Sequence, residues 1–159
     1  MRCRYLICLF ILAAATPLCA DTKIILPDSK KVADGEKNPF VETTVPGDFK
    51  SLDTIVFALL TLSPQAPNKS LTAPFFPESV GRVAYEKKGP LYQYFRGVRK
   101  KGKTVTLRFS GDAMLYLDSP ISLSQSIQGA LEKTVKLHAP DCKTVEYEVD
   151  GQVVTEWDA

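Results

Sequence analysis

Cysteine is nearly absent once the first 20 residues are set aside: Cys3, Cys8 and Cys19 all lie there, and Cys142 stands alone in the remainder. One thiol cannot close an intramolecular disulfide, so a fold over 21–159 has to rest on apolar packing, with Cys142 as a small buried or half-buried hydrophobe beside a strand. Histidine is just as scarce, His138 being the single copy. That excludes a histidine-rich metal centre, since zinc would have to be assembled from His138, Cys142 across Pro140, and carboxylates. Net charge is missing too. Of 20 basic and 18 acidic residues, Arg2 and Arg4 supply the basic excess, and no acid accompanies them in 1–20, which leaves 21–159 near neutrality. A neutral domain has no global field to draw in a polyanion, so nucleic acid is not an expected partner. No apolar run reaches the roughly 20 residues that cross a bilayer core, and no segment repeats at a fixed period.

What is present begins with a leader pattern. Arg2 and Arg4 precede an apolar run from Leu6 to Ala15, and Thr16-Pro17-Leu18-Cys19-Ala20 leads to Asp21. A basic start, an apolar middle and a small residue before the cut make the three-part layout of a secretion signal over 1–20. The expectation is an exported chain, periplasmic or at the cell envelope or outside it, with no transmembrane span after signal removal. The run is short for an uncleaved anchor. Lipidation of Cys19 is opposed by Leu18, which is bulky where lipoprotein signals carry a small residue. Residues 21–159 then suit one domain with one core, and a composition that is 45% hydrophobic and 24% charged places the chain among globular proteins.

Along that domain the hydrophobic period changes several times. Thr22–Leu26 reads as a strand ended by Pro27-Asp28, residues 28–38 as an exposed loop or wide turn, and Pro39–Val45 as a second strand. From Asp48, a plausible N-cap, Phe49, Leu52, Ile55, Val56, Leu59 and Leu60 recur at helical spacing until Ser63-Pro64. The four prolines of 64–80 predict an extended loop, with Phe75-Phe76 folded back and buried. Strands are expected at Gly81–Glu86, Leu91–Val98 and Lys103–Phe109, separated by turns at 87–90 and 99–102 and forming a meander with one wet face. After a compact connector at 110–118, Ser119-Pro120 opens a helix whose stripe is Leu123, Ile127, Ala130, Leu131, Thr134 and His138. Asp150-Gly151 then turns a closing hairpin between Thr144–Val149 and Gln152–Trp157. This order lacks strict strand–helix alternation. It predicts an α+β domain, a mostly antiparallel sheet with two helices packed on one face.

Several of these stretches carry a resemblance. They are Ile55–Leu60 with Ser63-Pro64, Leu71-Thr72-Ala73-Pro74, Gly102–Ser110, and the helix 119–138 followed by Lys143–Gln152 with its Asp-Gly turn. Across most of 22–157 the chain resembles the GerM (GerMN, sporulation and spore germination) domain family, with Ser63 where the family has glycine before Pro64. The resemblance implies an envelope domain similar in fold to ring-building motifs, with a scaffold role and no catalytic residues to carry over.

Few residues point to chemistry. His138 is expected to complement the end of its helix rather than bind metal. A serine with His138 and Asp141 would lack any nucleophile elbow. Glu146 and Glu148, with Glu156 across the hairpin, read as a solvent-facing sheet surface rather than a glycosidase pair. No catalytic, cofactor or metal site is expected. The sharpest feature is the hairpin 91–103, where Tyr92, Tyr94, Arg96, Arg99, Lys100, Lys101 and Lys103 combine aromatics with positive charge. Such a surface suits a cell-wall polymer or an anionic envelope surface, although lysines also guard a strand against edge pairing. The expected function is a non-enzymatic interaction or scaffold module whose partner is an envelope protein or a second copy. Polymer binding through 91–103 is the alternative.

Overall fold

The computed structural model describes residues 20–62, 70–77 and 89–155. The expected strand 81–86, most of the proline-rich loop and the end of the last strand lie outside them. Two strands open the chain: β1 (Thr22–Pro27) and β2 (Phe40–Val45) form an antiparallel ribbon with Thr22 opposite Val45 and Pro27 opposite Phe40. Between them the expected loop contains a short helix, α1 (Ser29–Ala33). Asp28 caps it, its carboxylate accepting the N–H groups of Lys30 and Lys31 at 3.0 and 3.2 Å. Aspartate serves turns and N-caps alike, and here the cap prevails.

Helix α2 (Leu52–Leu60) buries Ile55, Val56, Leu59 and Leu60, but it starts from Ser51 rather than Asp48. The Ser51 and Thr54 side chains reciprocally satisfy one another's backbone N–H groups, a capping box in which threonine replaces the usual glutamate. Asp48 instead pairs with Lys50. The strand expected at 91–98 is displaced. Leu91–Tyr94 is a 3₁₀ turn, β3 runs Phe95–Lys101, and the turn into β4 (Thr104–Phe109) tightens to Gly102-Lys103. Gly102 has φ +60°, which a two-residue hairpin loop requires.

After β4 come a 3₁₀ turn (Gly111–Ala113), the short helix α3 (Met114–Leu117), and the long helix α4 (Ile121–His138), which begins directly after Pro120. Strand β5 (Thr144–Val149) returns and β6 (Gln152–Val153) closes the hairpin through Asp150-Gly151, both at positive φ. The fold is α+β, but among the described residues the strands form two sheets rather than one. The β1–β2 ribbon stands beside a four-stranded sheet of order β3-β4-β5-β6. Within the larger sheet β4 and β5 run parallel, Val105 opposite Val145 and Phe109 opposite Val149. The meander expectation is therefore corrected: helix α4 serves as the crossover that two parallel strands need.

One core joins these parts. Ile24 and Leu26 of the ribbon, Leu59 and Leu60 of α2, Val105 and Leu107 of β4, and Ile127 and Leu131 of α4 are fully buried. Phe75 is buried with them and Phe76 is half-buried against them. Tyr116 is the largest fully buried side chain, and its hydroxyl donates to the Gly89 carbonyl at 2.9 Å. Among the described residues no helix is long and apolar enough to cross a membrane.

Candidate functional site

Residues directly opposite in a sheet share a face, so the strand register divides the large sheet into two surfaces. Val105, Leu107 and Phe109 lie on the core side with Val145, Tyr147 and Val149, where the Tyr147 hydroxyl donates to the Gln128 carbonyl of α4 at 3.3 Å. Burial pushes that phenol well above its ordinary range. The other surface carries Arg99, Thr106 and Glu146 in one row and Arg108 with Glu148 in the next.

Glu148 was expected to face water. Instead its side chain keeps 8% of its exposure, held between two arginines. Arg108 Nε donates to one carboxylate oxygen at 2.9 Å and Arg99 Nη2 to the other at 2.7 Å. These bonds, Arg108 first and then the Arg99 charge, hold the Glu148 carboxyl below its usual range against the opposing effect of burial. Each guanidinium has five N–H donors, so both retain donors after this sharing. Arg99, Lys101, Thr104, Thr106 and Glu146 line a shallow polar concavity of about 550 Å³ beside the cluster.

The structure separates the aromatic and basic members of the 91–103 set. Tyr92 packs edge-on to Phe57 and Phe76, at centroid distances of 6.0 and 6.2 Å. The Tyr94 hydroxyl accepts the Gly89 N–H at 3.1 Å. Arg96 folds back, donating to the Gln93 and Phe95 carbonyls and to Ser110 Oγ. Lys100 turns to the helix side and reaches both Asp141 oxygens at 2.7 Å, a contact that lowers the Asp141 pKa. Arg99 and Lys101 share the open face, while Lys103 lies in the turn, its carbonyl accepting the Lys143 N–H at 2.8 Å and its charge acting on Asp141; among the described residues the Lys101 side chain makes no hydrogen bond or ion pair. Arg108, Thr104 and Thr106 complete the surface. The alternation of β4 reveals their side of the strand, but only the β4–β5 register reveals their neighbours.

A second concavity, about 480 Å³ and almost entirely apolar, lies between α2 and β3 and is lined by Phe49, Phe57, Ala58 and Phe95. Phe57 is 47% exposed there. On its rim the Asp53 carboxylate accepts the Val98 N–H of β3 at 2.7 Å.

The groups with catalytic potential serve the fold. His138 Nε2 donates to the Lys23 carbonyl of β1 at 2.6 Å, reaching across to the ribbon rather than to its own helix end. Cys142 is buried and its thiol points to the Thr144 carbonyl at 3.2 Å. Asp141 is held by Lys100, so it does not orient His138. Among the described residues no group of three or more His, Cys, Asp or Glu side chains is placed to hold a metal ion. Compared with known proteins, the chain matches no family model, no curated protein and no solved structure.

Proposed function

We propose that the protein is an exported, non-enzymatic envelope module that works through contacts of its sheet and helix surfaces with other proteins, including copies of itself. The leader pattern of 1–20 supports export, and the resemblance to the GerM family supports a scaffold role in the envelope. The observation that carries the reading is the use made of the reactive side chains. His138, Cys142 and Asp141 are each engaged with a backbone carbonyl or a lysine, while the polar and apolar concavities that remain are shallow and open. Surfaces of this kind suit recognition rather than the enclosure of a reacting molecule.

Affinity capture from the native envelope, with the protein carrying a C-terminal tag, is expected to recover a defined protein partner or additional copies of the chain. Recovery of neither, together with turnover of an envelope substrate, would overturn the reading. A second reading is favoured by one specific observation, the Lys101 side chain, which lines the Arg99 concavity with no hydrogen bond or ion pair among the described residues. It makes the surface a binder of cell-wall polymer or anionic lipid. Co-sedimentation with peptidoglycan and with anionic vesicles should then weaken as salt rises, because exposed charges are screened beyond about 8 Å at physiological ionic strength. Replacing Lys101 and Lys103 by serine should abolish it. Binding unchanged by both treatments excludes the second reading.

A further inference from the structure

Across the open face of the large sheet the strand register sets Arg99, Thr106 and Glu146 in one row, one residue from each of β3, β4 and β5. Neighbouring strands lie about 4.8 Å apart, so the Arg99 and Glu146 backbones are separated by about 10 Å with Thr106 midway. Lys101 stands two residues beyond Arg99, on the same side of β3, and lines the same concavity. Opposite charges on adjacent strands ordinarily pair. Here the threonine strand lies between them. Among the described residues neither Lys101 nor Glu146 makes an ion pair or a side-chain hydrogen bond, although both line one concavity.

The floor between these charges is unsatisfied as well. Thr106 is only 5% exposed, yet among the described residues its hydroxyl has no hydrogen-bond partner. A hydroxyl this buried ordinarily has one. Arg99 is fixed from one side: Glu148 takes its Nη2 donor at 2.7 Å and is itself held by Arg108. Most of the Arg99 N–H donors stay available, and restraint before binding lowers the cost of ordering the side chain. The lining thus presents two cations at one end, a hydroxyl in the middle and an unpaired carboxylate at the other. An apolar ligand finds no apolar wall here, and a polyanion is repelled by Glu146. A molecule with a carboxylate at one end and an ammonium at the other satisfies every group. We propose that this row binds a short zwitterionic peptide, its carboxyl end on Arg99 and Lys101, its amino group on Glu146 and a backbone carbonyl on the Thr106 hydroxyl. An extended chain covers about 3.3–3.6 Å per residue, so two or three residues span the row. This rests on the second reading, in which the open face binds a cell-wall polymer, and it names the group recognised, a peptide branch with free ends of both charges.

The test is an NMR titration of protein purified from cells expressing the full chain, with trialanine and with its N-acetyl and C-amide forms, each of which lacks one charge. Free trialanine is expected to shift the amides of Thr104, Thr106 and Glu146, and each blocked form to bind at least tenfold more weakly. Glu146→Gln should bind the free and N-acetylated peptides equally, and Lys101→Ser should lose most of the preference over the C-amide. Both substitutions lie on the surface, where the fold is seldom disturbed, and the three peptides on the parent give a comparison that needs no variant. Absent shifts with free trialanine, equal binding of all three peptides, or a Glu146→Gln protein that still rejects the N-acetyl form overturns the proposal. Binding of phosphatidylethanolamine vesicles without binding of trialanine also overturns it and gives the row to a lipid headgroup. The polymer reading is tested separately. Lys101-dependent co-sedimentation with peptidoglycan, when trialanine fails to bind, sinks the peptide site and spares that reading; trialanine binding without co-sedimentation does the reverse.

Discussion

The outer strands β2 and β3 are both sheet edges, and the molecule protects only one of them. Strand β3 carries Arg96, Arg99, Lys100 and Lys101, and it breaks register with β4 between Phe95 and Gly97. One of its N–H groups, that of Val98, is occupied by the Asp53 side chain of α2. Charge, a bulge and a covering helix are three separate ways to stop an edge from recruiting another strand. Strand β2 has no bulge, and its one charge, Glu42, is paired with Lys23, while its partner β1 is sealed along its far side by Thr134, His138 and Thr72.

The guard on β3 depends on one glycine, and disturbing it should give the largest effect. Gly97 has φ +107°, and a Cβ built there would sit 2.9 Å from Asp53 Oδ1. Gly97→Ala therefore strains the backbone and displaces the carboxylate that caps Val98. These two losses together are expected to cost about 3 kcal/mol in urea denaturation. A loss under about 0.5 kcal/mol, the range of ordinary surface changes, would mean that the bulge and the Asp53 cap are incidental to β3.

Thr134→Val probes the sealed side of the ribbon and should rank second. Thr134 is fully buried on α4, and its hydroxyl is the acceptor for the Ile25 N–H. Valine keeps the shape and removes the oxygen, leaving a part-buried donor unsatisfied at a cost of about 2 kcal/mol. Exchange of the Ile25 amide should accelerate with it, while Val41 and Thr43, whose bonds run between the strands, lag behind. Equal acceleration of all three would show that β1 and β2 open as one unit and that Thr134 does not act on the edge alone.

Much of this arrangement was legible in local pattern, and the rest depended on partners distant in sequence. The stripe Ile127, Ala130, Leu131 and Thr134 identified the buried face of α4, and the alternation of Val105, Leu107 and Phe109 identified that of β4. Asp150-Gly151 marked its turn. The cap of α2 fell on Ser51 rather than Asp48 because both residue types suit the position, and the Thr54 hydroxyl decided between them. The β3 start at Phe95 was hidden because Leu91, which a strand would alternate, is buried through a 3₁₀ turn instead. The parallel β4–β5 pair was out of reach, since a period of two identifies the face of a strand and not its neighbour. The open-face cluster was missed for the same reason: Glu148 resembles any wet-face glutamate until the register sets it against Arg108 and brings Arg99 within reach.

That cluster offers the finest comparison with the ribbon, through its pH dependence. Glu148 has a lowered pKa when folded, so its contribution to stability is fully present above the unfolded glutamate value, about 4.3, and disappears as pH falls through the folded value. In Glu148→Gln that dependence is absent, and Arg99 and Arg108 are left facing each other without a shared anion. The variant should be the less stable protein at pH 7. Its denaturation midpoint should then converge on that of the parent as pH falls below about 4.3 and through the lowered folded value, where the parent's own carboxylate becomes neutral. The gap is expected to be the smallest of the three effects, because Arg99 and Arg108 keep 57% and 45% of their side-chain exposure and water screens what they lose. Asp28 and Asp141 also have lowered values, so both proteins should still weaken in acid, and the informative quantity is the difference between them. Parallel curves from pH 7 to pH 3 would mean that the two arginines do not sense the Glu148 charge and that the open face is a set of independent side chains.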